Sequence, residues 1–391
     1  MDVTATDFLK QATKTAEHFG FKNIEVLKKN PAAKSCLKKL EHTASAQNRR
    51  IDALHGMLTS GVNTFCESKF QDIEGPVLFY SIEQVPRTGE AAIGLHIFNV
   101  PKSIAEAILI QTSRALTLDL GYENHSVRIN SLGDRDSSVR YIRELTNYLK
   151  KRIDDMPESA RELMKVHAMD ALAHLIEKEH ELAYKTPNPL EYLTDTSRKH
   201  FREIIEYLDM TETPYEIDPK LIGHHECYSD ALFAIDLLDD NGQQIQNAPL
   251  LVRGGRYNEF VYRNTKQQIS AAGALIVLRD KKAPARTPRP KTANPTVYVV
   301  QLGFGPKIKS LMLINELRKS GIMVYQNLAS DSLSTQLRDA EDQKVKFTII
   351  IGQKEYVDDT VILRDMFGRN QENVPMRNII AKLKKVKTAV S

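Results

Sequence analysis

Residues 214–238 read PYEIDPKLIGHHECYSDALFAIDLL and lead into a polar loop, DDNGQQIQN at 239–247. The chain continues with APLLVRGGRYNEFV at 248–261 and ISAAGALIVLR at 269–279. The loop contains an Asn-Gly dipeptide, which is a strong signal for a hairpin. We therefore predict a β-hairpin with strands over Tyr228–Leu238 and Pro249–Val252, followed by a third apolar segment.

The second strand of this hairpin ends on Gly254, Gly255, Arg256 and Tyr257. Two adjacent glycines after a buried strand allow a sharp bend or a close approach of the backbone to a ligand. Arg256 would then stand at the strand end, where its guanidinium is a candidate binder of anions. The alternative is a hairpin in which the two glycines only form a turn.

A second predicted hairpin lies upstream, with strands over Gly75–Ile82 and Ala92–Val100. Between the hairpins, residues 134–210 are rich in Arg, Glu, Leu and His at helical spacing, which indicates a helical insertion into one sheet. From Thr296 onward, predicted strands alternate with helices, as in a sheet with helices on its faces. The predicted organisation is a core over 1–133, the insertion over 134–210, the second part of the core over 211–280, a proline-rich basic linker over 281–295 and an α/β domain over 296–391.

The composition of the 391 residues, 41% hydrophobic and 27% charged, is typical of a soluble globular protein. The formal net charge of +4 does not by itself imply nucleic acid. The three cysteines are far apart, which indicates a reducing compartment. Since no apolar run reaches the roughly 18 residues that span a membrane, and no signal peptide is recognisable, we expect a cytoplasmic protein without membrane contact.

The sequence contains none of the common motifs for nucleotide, metal or nucleophile chemistry, such as a P-loop, HExxH or G-x-S-x-G. His224, His225, Glu226 and Cys227 are metal-ligand residue types, but adjacent residues of a strand point to opposite faces, so we predict no metal site. Glu83 from the first hairpin and Arg256 from the second could together line a pocket for an amine and an anion. The alternative is that they pair with each other or with solvent.

Several segments of the chain resemble histidyl-tRNA synthetases and their paralogues, a group of class II aminoacyl-tRNA synthetases. The matching segments are AEHFGFKNIEV (16–26), VRINSLGDRDSSVRYIRELTNYLKK (127–151), PYEIDPKL (214–221), LLVRGGRYNEFV (250–261), ELRKSGIMV (316–324), SLSTQLRDAEDQKVKFTIIIGQKE (332–355) and TVILRDM (360–366). The resemblance implies an α+β fold. It comprises an antiparallel sheet of six or seven strands that carries the active site, a helical insertion, and an α/β anticodon-binding domain.

Active members of that family join histidine to ATP and then pass it to the tRNA end. Ser81 stands where the resemblance places a phosphate-binding Arg, two residues before Glu83. Ala91 and Ala92 stand where the resemblance places a polar triplet, and the segment 223–228 lacks the Arg of the histidine-recognition motif. The expected Glu-Arg pair falls near Arg279-Asp280, which is either a reversed pattern or a slip of one residue. Since losing one such stabilising group typically costs ~10²–10³ in rate, we expect a degenerate site with no catalytic residues and no certain cofactor.

Three functions are compatible with this pattern. The first is a non-catalytic paralogue that binds tRNA or a protein partner. The second is a divergent active histidine–tRNA ligase using ATP and Mg, in which Arg253, Arg256 or Arg279 replaces the missing phosphate binders. The third is a regulatory subunit of ATP phosphoribosyltransferase.

The predicted sites follow from the resemblance and from the hairpins. A residual cleft for an amino acid or ATP would include Glu83, Gly254, Gly255, Arg256 and Tyr257. For RNA we predict Gln336, Arg338 and Lys344, with an ordinary exposed helix face as the alternative. The resemblance also implies a homodimer, although the family's first signature is shortened here.

Overall fold

The structure of the chain, a computed structural model, describes residues 3–24, 49–68, 70, 75–85, 88–223, 227–284, 296–368 and 370–388. The segment 224–226 of the HHEC sequence and most of the proline-rich linker lie outside this part of the chain.

The first part of the chain forms a sheet of eight strands in the order β1-β2-β3-β8-β7-β6-β4-β5. The strands are β1 Lys22–Asn23, β2 Val77–Gln84, β3 Glu90–Phe98, β4 His125–Gly133, β5 Tyr215–Ile217, β6 Ser229–Leu237, β7 Leu250–Arg256 and β8 Ala271–Lys282. The six central strands are antiparallel, and the short strands β1 and β5 add a parallel edge at each end. These two edges explain why eight strands exceed the six or seven expected.

Nine α-helices are described in this part of the chain. They are α1 Ala5–His18, α2 Arg49–Glu67, α3 Ile104–Asp119, α4 Arg135–Lys150, α5 Glu158–Val166, α6 Ala168–Glu177, α7 Glu181–Tyr184, α8 Asp195–Met210 and α9 Asn258–Thr265. The insertion between β4 and β5 holds α4 to α8. Helical spacing over 158–180 predicts one helix. The structure forms α5 and α6 instead, because His167 is extended and its Nδ1 accepts a bond from the Met169 amide that starts α6.

The C-terminal domain is a five-stranded sheet in the order β10-β9-β11-β12-β13 with helices on its faces. Its elements are β9 Val297–Gln301, α10 Phe304–Lys319, β10 Val324–Gln326, α11 Leu333–Asp342, β11 Phe347–Ile351, α12 Gln353–Asp358, β12 Thr360–Asp365, β13 Gln371–Pro375 and α13 Ile379–Thr388. The edge strand β13 was not predicted, because four of its five residues are exposed and it has no apolar pattern. The predicted α+β class, with an antiparallel core followed by an α/β domain, is confirmed.

Both faces of the large sheet are covered, which explains the almost continuous apolar run EAAIGLHIF of β3. On one face, α1 and α3 pack against side chains such as Phe233 and Ile276, and this cluster continues into the C-terminal domain. On the other face, α2 and helices of the insertion pack against Ala92, Phe98 and Leu275.

Helix α2 lies unusually close to β3. A Cβ atom added to Gly61 would lie 2.3 Å from Cε1 of His96, and one added to Gly94 would lie 2.8 Å from Cγ of Met57. One turn further along, the rings of Phe65 and Phe98 stack with their centroids 4.2 Å apart. The two glycines therefore set the distance between this helix and the sheet.

We expect Gly61→Ala to lower the free energy of unfolding by ~1–3 kcal/mol, because the new methyl group must displace His96 or the helix. Urea unfolding of the full chain measures this change. Gly56→Ala in the same helix is the matched control, since a Cβ atom there meets nothing within 4 Å. It should be neutral or stabilising by up to ~1 kcal/mol. Equal effects of the two substitutions would contradict the close packing of α2.

Candidate functional site

The face of the large sheet beneath α2 is the candidate cleft. The strand register aligns Ser81, Gly94, Leu275 and Arg253 in one row across β2, β3, β8 and β7. The next row contains Phe79, His96, Gly273 and Gly255. Residues that lie opposite one another on antiparallel strands share a face, so both rows point toward α2.

Three glycines of these rows, Gly94, Gly255 and Gly273, form a shallow trough on the cleft face. A Cβ atom on Gly273 would lie 2.8 Å from the Leu95 carbonyl oxygen and 3.0 Å from the Tyr257 ring. One on Gly255 would lie 2.7 Å from the Ala231 carbonyl oxygen and 2.9 Å from the Tyr228 ring. The trough is therefore occupied by aromatic rings and by Met57 of α2.

Gly254 faces the other side of the sheet, where a Cβ atom would lie 2.5 Å from the Phe233 ring. The paired glycines therefore approach protein atoms on both faces. The sequence predicted that the backbone at these glycines approaches other atoms closely. In the structure these atoms belong to neighbouring residues of the same chain.

Arg256 is also on the face opposite α2, and it is 1% exposed. Its Nε and Nη2 atoms donate to the two carboxylate oxygens of Glu106, each at 2.7 Å. Its Nη1 and Nη2 atoms donate to the carbonyl oxygens of Val100 and Lys102 at 3.0 and 3.1 Å. The guanidinium is thus engaged by α3 and by the segment that precedes it.

Glu106 is the centre of a small buried charge cluster. Besides Arg256, Nε2 of His200 lies 2.9 Å from its Oε1. Burial alone would raise the pKa of the Glu106 carboxyl, but Arg256 and His200 outweigh it and hold that pKa at about 2. The His200 pKa is raised against burial by the same carboxylate. The cluster keeps Glu106 ionised throughout the neutral range.

Glu83 lies on the cleft face, and its carboxylate accepts a bond of 2.6 Å from the Ser81 hydroxyl. It lines a cavity of about 110 Å³ together with Gly56, Met57, Gln84, Val85, Ala92 and Leu275. Because neighbouring strand residues alternate between faces, Glu83 and Arg256 end on opposite sides of the sheet. The structure does not bring together the two groups of the predicted amine-and-anion pocket.

Arg253, rather than Arg256, is the arginine of β7 that faces the cleft. Its guanidinium nitrogens lie 3.3 Å from Oδ1 of Asp236. The other oxygen of Asp236 accepts from Arg128, which also donates to Asp218 at 2.8 Å. This alternating cluster crosses β4, β6 and β7, and each arginine in it has a carboxylate partner.

His96 is a site residue that sequence reasoning missed. It is completely buried, and its Nδ1 lies 3.0 Å from the Tyr257 hydroxyl oxygen. Its Nε2 has no hydrogen-bond partner within the described ranges. Burial lowers the pKa of His96 to about 3. The only signal in the sequence was a histidine within the apolar run of β3.

The three predicted RNA-binding residues differ in exposure. Gln336 is buried, where its Oε1 accepts from the Gln301 amide at 3.1 Å and its Nε2 donates to the Gln301 carbonyl at 2.9 Å. It therefore ties α11 to β9 and offers no surface to a partner. Arg338 and Lys344 are exposed, on α11 and just beyond its end.

In the described ranges, no three His, Cys, Asp or Glu side chains are placed together as metal ligands. No helix in the part of the chain that the structure covers is long and apolar enough to cross a membrane.

A family model described as the anticodon-binding domain matches residues 296–386, the span of β9 to α13. The histidine–tRNA ligase of Geobacillus sp. (strain WCH70) is 26% identical to the chain over 314 residues, which cover 79% of this chain and 74% of the ligase. The chain is therefore similar to histidine–tRNA ligases over most of its length, and its C-terminal domain is similar to their anticodon-binding domain.

Two solved structures also resemble this histidyl-tRNA synthetase-like chain. Apo histidyl-tRNA synthetase of S. aureus aligns with a TM-score of 0.47 and 18% identity over 83% of this chain and 81% of that one. An ATP phosphoribosyltransferase regulatory subunit/histidyl-tRNA synthetase from Bacillus halodurans aligns with a TM-score of 0.43 and 12% identity, over 89% and 94% of the two chains.

The buried His96 leads to a prediction about acid stability. The folded protein keeps the ring neutral, whereas the unfolded chain takes up a proton below its ordinary pKa of about 6.5. The contribution of the neutral His96 ring to the free energy of unfolding is therefore fully present above that pH and is lost as the pH falls toward 3. We expect the drop in unfolding free energy between about pH 7 and about pH 4.5 to be smaller in His96→Gln than in the wild type.

Urea unfolding at the two pH values measures this difference. His174→Gln is the control, because His174 on α6 is only partly buried, whereas His96 is completely buried. The His174 ring lies 2.8 Å from the Ser159 hydroxyl. It should keep the wild-type drop. An unchanged drop in His96→Gln would show that this ring does not titrate on unfolding.

Proposed function

We propose that this histidyl-tRNA synthetase-like chain does not activate histidine and binds tRNA through its C-terminal domain. The absence of histidine activation is inferred mainly from the position of α2 over the cleft face. Its side chains Met57, Leu58, Val62 and Phe65 are buried in the apolar cluster there. Ligand pockets usually have volumes of roughly 300–1,000 Å³, whereas the cavity beside Glu83 is about 110 Å³. An ATP molecule does not fit into that space.

The electrostatics of the core support the same conclusion. Activating an amino acid with ATP requires positive groups aimed at the phosphates as charge develops. Arg256 is buried on the other face with Glu106, and Arg253 on the cleft face is paired with Asp236. Neither guanidinium is held ready for a phosphate in this arrangement.

The distribution of charge along the chain supports the second half of the proposal. Residues 281–391 contain 20 Lys and Arg against 10 Asp and Glu, whereas residues 1–280 contain 34 against 40. The linker and the anticodon-binding domain are therefore strongly basic, and the rest of the chain is acidic. A polyanion such as tRNA is attracted to the basic part, where Arg338, Lys344 and Lys354 are exposed. A cytoplasmic location fits such a partner.

The first test is pyrophosphate exchange that depends on histidine and ATP, with an active histidine–tRNA ligase as positive control. We expect no exchange above background, because the cleft face is covered and its arginines are paired. The unfolding transition of the same sample shows that the chain is folded. Exchange above background would contradict the proposal and favour a divergent ligase.

The second test is filter binding of tRNA as a function of salt concentration. We expect an association constant that falls with salt by roughly 0.7–0.9 logarithmic units per phosphate contact and decade of salt. The double variant Arg338→Gln/Lys344→Gln should weaken binding and flatten this slope by about 1 to 2.

The matched control is Lys150→Gln/Lys199→Gln, which removes two exposed charges from α4 and α8 of the acidic part. It should keep the wild-type slope. If no tRNA is retained even at low salt, the C-terminal domain does not serve this chain as an RNA-binding domain.

A further inference from the structure

The segment Val100–Glu106, which we call the joint segment, is where three parts of the chain meet. From the sheet, Arg256 binds the carbonyl oxygens of Val100 and Lys102 and both carboxylate oxygens of Glu106. From the insertion, Glu203 of α8 accepts a bond of 2.6 Å from the Ser103 hydroxyl.

The third contact comes from the C-terminal domain. Asp331, in the loop between β10 and α11, accepts a bond from Nζ of Lys102. Its other carboxylate oxygen lies 2.6 Å from Nζ of Lys307, a residue of α10 that is only 3% exposed. Asp331 therefore links the buried Lys307 of its own domain to Lys102 of the joint segment.

Other polar contacts join the two domains beside the apolar cluster that they share. Arg318 of α10 donates to Asp119 at the end of α3, and Nε2 of His18 lies 3.1 Å from the Ile322 carbonyl oxygen. Nε2 of Gln326 donates to the Phe19 carbonyl oxygen. Each such bond contributes only ~0.5–1.5 kcal/mol, or about 1.5–3 where a group is charged.

We propose that Asp331 couples the C-terminal domain to the core by holding the joint segment in the conformation that pairs Glu106 with Arg256. Loss of the Asp331 contact loosens the joint segment while the sheet stays intact. Asp331 directly precedes Ser332, whose hydroxyl caps α11 by accepting from the Thr335 amide at 3.2 Å. RNA bound at α11, which rests on the proposed function, therefore acts on the same loop and changes the mobility of the joint segment.

Hydrogen exchange of the full chain, followed by mass spectrometry, tests the coupling without RNA. The informative amides are those of Ala105 and Ala107, which donate to the carbonyl oxygens of Lys102 and Ser103. We expect them to exchange about two- to fivefold faster in Asp331→Asn than in the wild type, as for the loss of one solvent-exposed ion pair. Peptides from β8 should keep their protection and show that the sheet remains folded.

The matched control is Asp359→Asn, which removes a Lys–Asp contact of the same kind, Lys309 to Asp359, entirely within the C-terminal domain. It should leave the joint segment unchanged. Lys102→Met removes the Asp331 contact from the core side and should reproduce the effect of Asp331→Asn even if that variant is poorly folded. Unchanged exchange in both Asp331→Asn and Lys102→Met overturns the coupling, and so does an equal effect of Asp359→Asn.

The RNA half of the proposal is tested by adding saturating tRNA to the wild type and to Asp331→Asn. We expect tRNA to change the exchange of the joint segment in the wild type and not in the variant, because coupling between two sites is reciprocal. Bound tRNA without any change in the wild type overturns this half. If no tRNA binds, the proposed function fails, whereas the exchange of the two Asp331-contact variants still decides the coupling.

Discussion

The ion pair between Arg256 and Glu106 is the interaction on which the arrangement of the core depends. It joins the end of β7 to α3, and through the Val100 and Lys102 carbonyls it also fixes the chain that leads from β3 into that helix. Both partners are almost completely buried, so removing either would leave an uncompensated charge at a cost of ~3–5 kcal/mol. This is why an arginine that follows two glycines belongs to the architecture here and does not face the cleft.

The two faces of the sheet consequently have different chemistry. The face with α1 and α3 contains the buried cluster of Glu106, Arg256 and His200. The apolar cluster on this face extends into the C-terminal domain. The face with α2 contains glycines, aromatic rings, the Arg253–Asp236 pair and the buried His96. The Nε2 atom of His96 has no hydrogen-bond partner among the described residues, which costs ~1–3 kcal/mol. Close packing of an apolar helix over such a trough compensates for that cost, and a small cavity of about 110 Å³ lies beside Glu83. A covered cleft and a basic C-terminal domain are the two features on which the proposed function rests.

Much of the fold could be predicted from local patterns. The hairpins of β2–β3 and β6–β7 follow from apolar runs bounded by turn residues, and the α/β alternation after Thr296 follows from strands and helices of ordinary length. The resemblance to the synthetase family is confirmed as well. The predictions were weaker where local signals conflict with tertiary contacts. His167 divides a helix by extending its backbone, and β13 forms a strand from exposed polar residues.

The sequence by itself determined most of the element types, the antiparallel core, the run of helices between the two hairpins and the charge difference between the two parts of the chain. Only the tertiary structure decided which side chains meet. Strand residues alternate between faces, and Arg253 and Arg256 are three positions apart on β7. Arg253 therefore faces the cleft with Glu83, and Arg256 faces the other side of the sheet. The partners of these arginines, Glu106 and Asp236, come from α3 and β6, and Asp331 reaches Lys102 from another domain. Such pairings depend on the order of strands and the docking of domains, which no local pattern encodes.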